Sequence, residues 1–388
     1  MNPNTLGGKI LCPLVGCLLI VMIFFLTIHP LVVFLSFVYQ SGAFQHEPST
    51  NQCQNIFSLT PITTYYRVQP EEADFPLAFN ILVFTDLERA VRLLRAIYRP
   101  QNSYCIHVDK KSTKEYVRTL KIAATCFGNN VFLVPDSERR DVRWGEISIL
   151  EAELICFKVL MKSGRNWKYL INLTGQEFPL RTNWELVVAL KALNGSNLVA
   201  ATYKRRNMWR VPPPKYSDLK VTYYKGSVHV AVRREFVNFT LYDQRAIKLL
   251  KALRDYERDK GHRIITDETY FATLNHNPVI FPIPGAFLGE HEVGTVTRAK
   301  IWQDGRTTCG SKVWIRTVCM FGIADLPFLI KSEKFFANKF RVHVEPEAYD
   351  ILEQWIESKV RYEAERGHLH PSFNLSVYAK NEFAWNHM

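Results

Sequence analysis

Phe79-Asn-Ile-Leu-Val-Phe84, followed by Thr85-Asp-Leu-Glu88, is the stretch on which the fold turns. Its apolar run has the length and β-branching of a strand buried on both faces. Helical spacing begins at once afterwards: Leu87, Val91, Leu94 and Tyr98 share one face, and Pro100 ends the segment. Thr85 and Glu88 stand three residues apart, a capping-box arrangement that predicts Thr85 as the helix N-cap. The alternation then repeats. Tyr104-Cys-Ile-His-Val108 predicts a second strand closed by Asp109, residues 113–126 a polar helix, and Asn130-Val-Phe-Leu-Val134 a third strand. Over 145–161 the apolar face is Ile147, Leu150, Leu154, Phe157 and Met161, with Gly164 as a stop. Trp167-Lys-Tyr-Leu-Ile-Asn172 reads as a further buried strand. Strand–helix–strand order of this kind implies an α/β fold with a parallel sheet covered by helices. Ligands of such sheets gather at the carboxyl ends of the strands, so Thr85, Asp109 and Thr174-Gly-Gln-Glu-Phe-Pro179 mark the expected pocket. The plainer alternative makes these residues caps and turns only.

Outward from this block, the 388 residues suit one large domain or two ordinary ones. Composition excludes collagen-like, fully disordered and multi-span membrane classes. Residues 10–39 carry no formal charge and are rich in Leu, Ile, Val and Phe, enough to cross a hydrocarbon layer of about 30 Å. A cleaved signal ending near Ser41-Gly42-Ala43 is the alternative, against which the apolar run is too long. Lys9 precedes the run and Glu47 is the first charge after it, which orients the short tail to the cytosol and the bulk to the lumen, a type II anchor. The expected organisation is a tail (1–9), a transmembrane anchor (10–39), a Pro-containing stem (40–77) and a luminal domain (78–388). Net charge is +12, yet residues 1–77 set only Lys9 and Arg67 against Glu47, Glu71, Glu72 and Asp74. The attraction for anions therefore belongs to the luminal part, where nucleic acid is not a partner.

Outside the span lie six cysteines, Cys53, Cys105, Cys126, Cys156, Cys309 and Cys319. In an oxidising lumen an even set favours disulfides, and sequence alone leaves every pairing open, although Cys309 and Cys319 are close enough to close a hairpin-like loop. Four N-glycosylation sequons begin at Asn172, Asn194, Asn238 and Asn374. Asn172 follows an apolar run and is expected to be buried, leaving Asn194, Asn238 and Asn374.

Dinucleotide, Walker-type and nucleophile-elbow motifs are missing, as are short-spaced zinc patterns. Glu290-His-Glu292 and His368/His370 read as solvated loops rather than metal sites. Asp267-Glu268, set between Ile264-Ile265 and Tyr270-Phe271, is a candidate general base, because partial desolvation raises a carboxylate's proton affinity. Arg316 and Lys339 are candidate anion ligands.

Several blocks are distinctive together: residues 84–98, 100–109 and 167–179, with Ile315-Arg-Thr-Val-Cys-Met-Phe-Gly322 and Phe336-Ala-Asn-Lys-Phe340. In their order, from about residue 75 to about 360, the chain resembles the core-2/I-branching β-1,6-N-acetylglucosaminyltransferases, relatives of the protein xylosyltransferases. The resemblance implies a Golgi type II membrane enzyme with a GT-A-like nucleotide-sugar fold and a central, mostly parallel sheet. It would use UDP-GlcNAc and invert the anomeric centre on a Gal- or GalNAc-containing O-glycan. Glu268 matches the catalytic base, Arg316 and Lys339 the basic pair that takes the place of a metal, and Asp109 a position near the donor nucleoside. No cofactor is therefore expected. Trp302 matches an aromatic of the acceptor site, with Lys204 and Arg206 in a basic acceptor-side stretch. The cysteines match the pairing Cys53–Cys126, Cys105–Cys156 and Cys309–Cys319. One departure stands out: where relatives place Glu in Asn-Leu-x-x-Glu, this chain reads Asn197-Leu-Val-Ala-Ala201. Acceptor choice is thereby left open, as are a UDP-glucose or UDP-xylose donor, a non-catalytic glycan-binding role and a homodimeric state.

Overall fold

The computed structural model describes Cys53 and residues 68–204, 207–291 and 295–388. The expected tail, anchor and most of the stem lie outside these residues. Among the described residues no helix is long and apolar enough to cross a membrane.

The alternation read from the sequence is present: α1 (Pro70–Asp74), β1 (Leu77–Val83), α2 (Leu87–Ile97), β2 (Ser103–Val108), α3 (Lys114–Phe127), β3 (Val131–Leu133), α4 (Ser148–Lys162) and β4 (Tyr169–Thr174). Next come β5 (Glu177–Pro179), α5 (Asn183–Ala192), β6 (Ala201–Thr202), β7 (Lys225–Gly226), β8 (Ala231–Arg233), α6 (Arg234–Tyr242), α7 (Gln244–Lys260) and α8 (Tyr270–Asn275). The remainder contains β9 (Arg298–Ala299), β10 (Trp314–Ile315), β11 (Val318–Cys319), α9 (Leu326–Lys331), β12 (Phe336–Asn338), α10 (Glu347–Arg366) and α11 (Leu375–Ala379). The central sheet has the order β3-β2-β1-β4-β8. Its first four strands are parallel and β8 runs antiparallel on β4. The fold is mixed α/β with a mostly parallel sheet.

Side-chain alternation along β1 divides the core. Leu77, Phe79, Ile81 and Val83 pack with α2, α3 and α5. Ala78, with Cys105 of β2, packs on the face built by α4, α7 and α8. A sheet covered on both faces explains why its central strands read as continuous apolar runs. A smaller sheet, β5-β12-β9, carries its own core against α9 and α10, including Phe178, Ala337, Tyr349 and Leu352.

The capping box at the start of α2 does not form. The N-cap is Asp86, in the left-handed region at φ 67°, and it makes no side-chain cap bond. The chain reverses at Asp86, whose carboxylate lies 3.6 Å from the Arg89 guanidinium, and Thr85 is left facing the pocket described below. Helix α1 lies inside the stretch read as stem. Its Glu72 is buried, accepting from Asn183 Nδ2 at 2.7 Å, and Pro70 occupies the first turn of the helix, where a missing N–H costs nothing.

Cys53–Cys126 and Cys309–Cys319 are disulfides. Cys105 and Cys156 differ from the resemblance: they are free, buried thiols with their sulfurs 2.6 Å apart across β2 and α4. Burial, and then the adjacent Cys105, push the Cys156 thiol up, away from the thiolate that exchange chemistry needs.

Candidate active site

The carboxyl ends of β1, β2 and β4 open into a cleft of about 550 Å³, where the sequence places the pocket. Phe84 and Thr85 follow β1, His107 lies on β2 with Asp109 just after it, and Thr174 ends β4 ahead of Gly175 and Gln176; Arg316 and Arg341 form the cationic wall. Asp109 is buried and accepts from Lys111 through its backbone N–H (2.8 Å) and Nζ (2.9 Å). Lys111 also holds Asp141 and the Val142 carbonyl, which fixes the loop over the cleft. Burial pulls the His107 imidazole down to about 4, so the neutral ring accepts the Arg140 N–H at 2.9 Å. A larger cavity of about 820 Å³ lies at the opposite, amino-terminal end of β4, around Trp167, Lys168 and Arg233. It contains none of the expected catalytic residues.

Arg316 projects from a two-residue hairpin turn. β10 and β11 are joined by Arg316-Thr317 alone, with φ of 52° and 64°. Positive φ at both central positions is the pattern of a type I′ hairpin, in which Asn-Gly is favoured and two branched or long residues are strained. Cys309–Cys319 ties β11 to the preceding loop, and the Arg316 guanidinium lies over the Trp144 ring at 4.5 Å. Trp144 in turn carries Arg263 at 5.3 Å, and the Gly145 carbonyl accepts the Ile265 N–H. This relay connects Arg316 with the turn that holds Glu268.

That turn, Thr266–Glu268, is a single 3₁₀ turn entered through Ile265 at φ 54°. Asp267 is buried, and burial followed by the neighbouring Glu268 charge pushes its carboxyl up to about 7. Behind it, burial pushes Glu153 up to about 8. Around pH 6 both acids are protonated for the most part. Glu268 is half-buried and accepts from Arg210 Nη1 at 2.7 Å, a charge-assisted bond that orients one carboxylate oxygen and leaves the other for a ligand.

Lys339 is placed by the smaller sheet. Glu177 of β5 is fully buried and accepts from Asn338 Nδ2 of the adjacent β12 (2.7 Å) and from Arg298 Nε of β9 (2.9 Å), which lies beyond β12 in the same sheet. Lys339 follows directly, and burial, then Arg341 and Arg316, lower its proton affinity. Removing one partner of a buried ion pair strands the other, at a cost of about 3–5 kcal/mol. Arg298→Leu is therefore expected to lower the melting temperature by several degrees; an unchanged melting curve would show that Glu177 is satisfied without it.

Trp302 is exposed, bridged to Val318 of the hairpin, with Lys300 Nζ 5.1 Å from its ring centre. Asp109 and Arg316 line the cleft together, Arg316 reaches the turn of Glu268 through Trp144, and Lys300, beside Trp302, feels the charges of Glu268 and Lys339. Lys204 stands apart: its ammonium is exposed and lies 3.5 Å from Glu290, whose other oxygen accepts from Thr202, Tyr203 and Lys204. Arg206 lies outside the described residues. Asn172 is buried and bonded to Glu153 and Val228, as expected, whereas Asn194, Asn238 and Asn374 are exposed. Among the described residues, the metal-ligand grouping Cys309, Cys319 and Asp325 has both sulfurs in a disulfide. Arg210, Lys300, Arg341 and Trp144 were not singled out by sequence reading. Only Lys300, two positions before Trp302, carried a signal, and that signal was adjacency alone.

The sequence profile of the Core-2/I-Branching enzyme family matches residues 77–330. The chain belongs to this family. A mouse relative named N-acetyllactosaminide beta-1,6-N-acetylglucosaminyl-transferase is 36% identical over 308 residues, covering 73% of each chain. A human relative named beta-1,3-galactosyl-O-glycosyl-glycoprotein beta-1,6-N-acetylglucosaminyltransferase is 34% identical over 328 residues, 76% of this chain and 73% of its own. A zebrafish relative of the latter name, numbered 4, is 33% identical over 325 residues, 75% and 72% of the two chains. The family match begins at the first residue of β1 and ends in α9, so it takes in Glu268, the Arg316 hairpin and every cleft residue except Arg341.

Proposed function

We propose that this chain is an inverting glycosyltransferase with a GT-A-like fold, moving N-acetylglucosamine from UDP-GlcNAc onto a 6-hydroxyl of a Gal- or GalNAc-containing O-glycan. The observation that carries the reading is a cleft at the sheet's carboxyl edge with Arg316 and Arg341 in its wall, Arg316 being linked through Trp144 and Gly145 to the turn that carries Glu268, within a chain of this family. The acceptor O6–H gives its proton to Glu268 as O6 bonds to the anomeric carbon. The bond from that carbon to the diphosphate oxygen breaks on the opposite face, and UDP leaves with the electron pair. One base and one displacement invert the centre. Arg316 and Lys339 stabilise the charge that grows on the diphosphate. Asp109 takes the donor nucleoside side, Trp302 covers the apolar C–H face of the acceptor sugar, and Lys204 and Arg206 extend the acceptor side.

The same reading places the domain in the Golgi lumen behind an anchor at 10–39, with glycans on Asn194, Asn238 and Asn374. A second donor remains a specific alternative, because Ala201, where relatives carry a carboxylate, is buried in β6 against Gly226 and His291. UDP release from the full chain in detergent tests both, with UDP-GlcNAc, UDP-glucose and UDP-xylose each offered to a Galβ1-3GalNAc glycoside and a serine peptide in excess EDTA. Acceptor-dependent release with UDP-GlcNAc is expected. A requirement for added manganese would overturn the cationic-wall assignment, and turnover with another donor would replace the sugar.

A further inference from the structure

Lys300 is the feature of this region that the proposed chemistry leaves unused. It sits two residues beyond Arg298, on the strand end that the buried Glu177 holds in place, and its ammonium lies 5.1 Å from the Trp302 ring centre. The charged and titratable groups around it come from every neighbouring element. They are Glu177 of β5, Arg298 of β9, Lys339 after β12, Glu268 of the 3₁₀ turn, and His229, which burial and these cations keep neutral. Among the described residues its Nζ makes no hydrogen bond or ion pair. Of the two nearby acids, Glu177 is occupied at both oxygens by Arg298 and Asn338, and Glu268 is turned by Arg210 at Oε2, with no bond from either to Lys300. An ammonium carries three donors, and on a half-buried lysine without protein acceptors these are open to oxygens that water or a ligand supplies. Lys300 is not part of the cleft wall formed by Arg316 and Arg341. Its neighbours are the base and the exposed aromatic.

We propose that Lys300 is a specificity-determining residue of the acceptor site, its ammonium donating to hydroxyl oxygens of the sugar that rests on Trp302. The inference rests on the glycosyltransferase reading above. The Lys300 ammonium lies over the Trp302 ring, so a sugar laid against the ring beside it presents hydroxyl oxygens to an ammonium that also feels the Glu268 charge. Binding there fixes the sugar in two directions and sets which hydroxyl meets the base. Burial, with Arg298 and Lys339 acting the same way against Glu177 and Glu268, pulls the Lys300 ammonium down to about 8. Its positive charge is present below that pH and lost as pH rises through it, so acceptor binding weakens on the alkaline side.

Steady-state kinetics of the full chain with Galβ1-3GalNAc glycoside test this. A hydrogen bond to a charged donor predicts that Lys300→Met raises acceptor KM by about tenfold to a hundredfold. The Kd for UDP should stay within twofold. In wild type, kcat/KM for acceptor falls above about pH 8; Lys300→Met loses that limb and Lys300→Arg moves it upward. Among monodeoxy acceptors, one should suffer a penalty in wild type that is absent in Lys300→Met. Equal weakening of UDP binding, or an unchanged acceptor KM, overturns the assignment. Should wild type turn over no acceptor, the glycosyltransferase reading falls by itself. Lys300 is then read by NMR after reductive ¹³C-methylation, its signal identified by its loss in Lys300→Met. Movement on adding the disaccharide with UDP supports the acceptor contact, and a motionless signal overturns it.

Discussion

Glu268→Gln is expected to lower kcat by about a thousandfold or more, within or above the usual 10²–10⁴ contribution of a positioned general base. Its Kd for UDP should stay within about twofold of wild type, since no phosphate contact is removed. The substitution keeps shape and the oxygen that accepts from Arg210 Nη1, but an amide has no basic site for the acceptor proton. The surroundings are also relieved. Asp267, directly beneath, is pushed up by burial and by the Glu268 charge, so neutralising position 268 removes a repulsion rather than creating one. Arg210 loses its counter-charge but keeps an acceptor, so a folding defect is not expected and the melting temperature should fall by a few degrees at most. Parallel loss of transfer, UDP affinity and melting temperature would make Glu268 structural. A second readout separates roles further: formate added to Glu268→Ala should restore part of the transfer if a missing base is the lesion, and restore nothing if the turn has collapsed.

The legibility of this molecule was uneven for physical reasons. β1, β2 and β4 were readable because a strand buried on both faces must be apolar throughout, and their helices were readable because one face meets that sheet. The pocket followed from topology alone. Thr85 could not be assigned, since a capping box and a residue lining a cleft have the same sequence; the left-handed turn at Asp86 decides between them. The small sheet was invisible. Its strands are three residues or fewer, and its stability comes from a charged centre, Glu177 with Arg298 and Asn338, drawn from positions more than a hundred residues apart. From the residues alone Glu268, Arg316 and Lys339 were readable only as general candidates for a base and for anion ligands, and Trp302 was singled out through resemblance alone. Their partners Arg210, Trp144 and Lys300 are close to them in space and, except for Lys300, distant in sequence, so no local pattern announces them.

Arg316→Gly is expected to lower kcat by about 10²–10³, the cost of removing one preorganised donor from a developing oxyanion. Glycine is the informative replacement because of the turn. Arg316 and Thr317 hold φ of 52° and 64°, a conformation that costs a side-chain-bearing residue about 1–3 kcal/mol and costs glycine little. The hairpin should keep its geometry, with Cys309–Cys319 and the Trp302–Val318 bridge intact, and the melting temperature should hold or rise. Lost activity in a protein at least as stable as wild type isolates the guanidinium. Arg316→Lys should recover only part of the rate, because a flexible ammonium cannot reproduce the planar stacking on Trp144 that fixes where the charge sits. A kcat within about fivefold of wild type for the glycine variant, a small fraction of the donor effect, would remove Arg316 from the clamp. The leaving diphosphate would then fall to Lys339 and Arg341. That outcome would relocate the catalytic charge from the strained hairpin to the strand end anchored on Glu177. The strain at Arg316 makes sense under the first outcome alone, since two residues in the left-handed region are tolerated where a charge must be held out into the cleft.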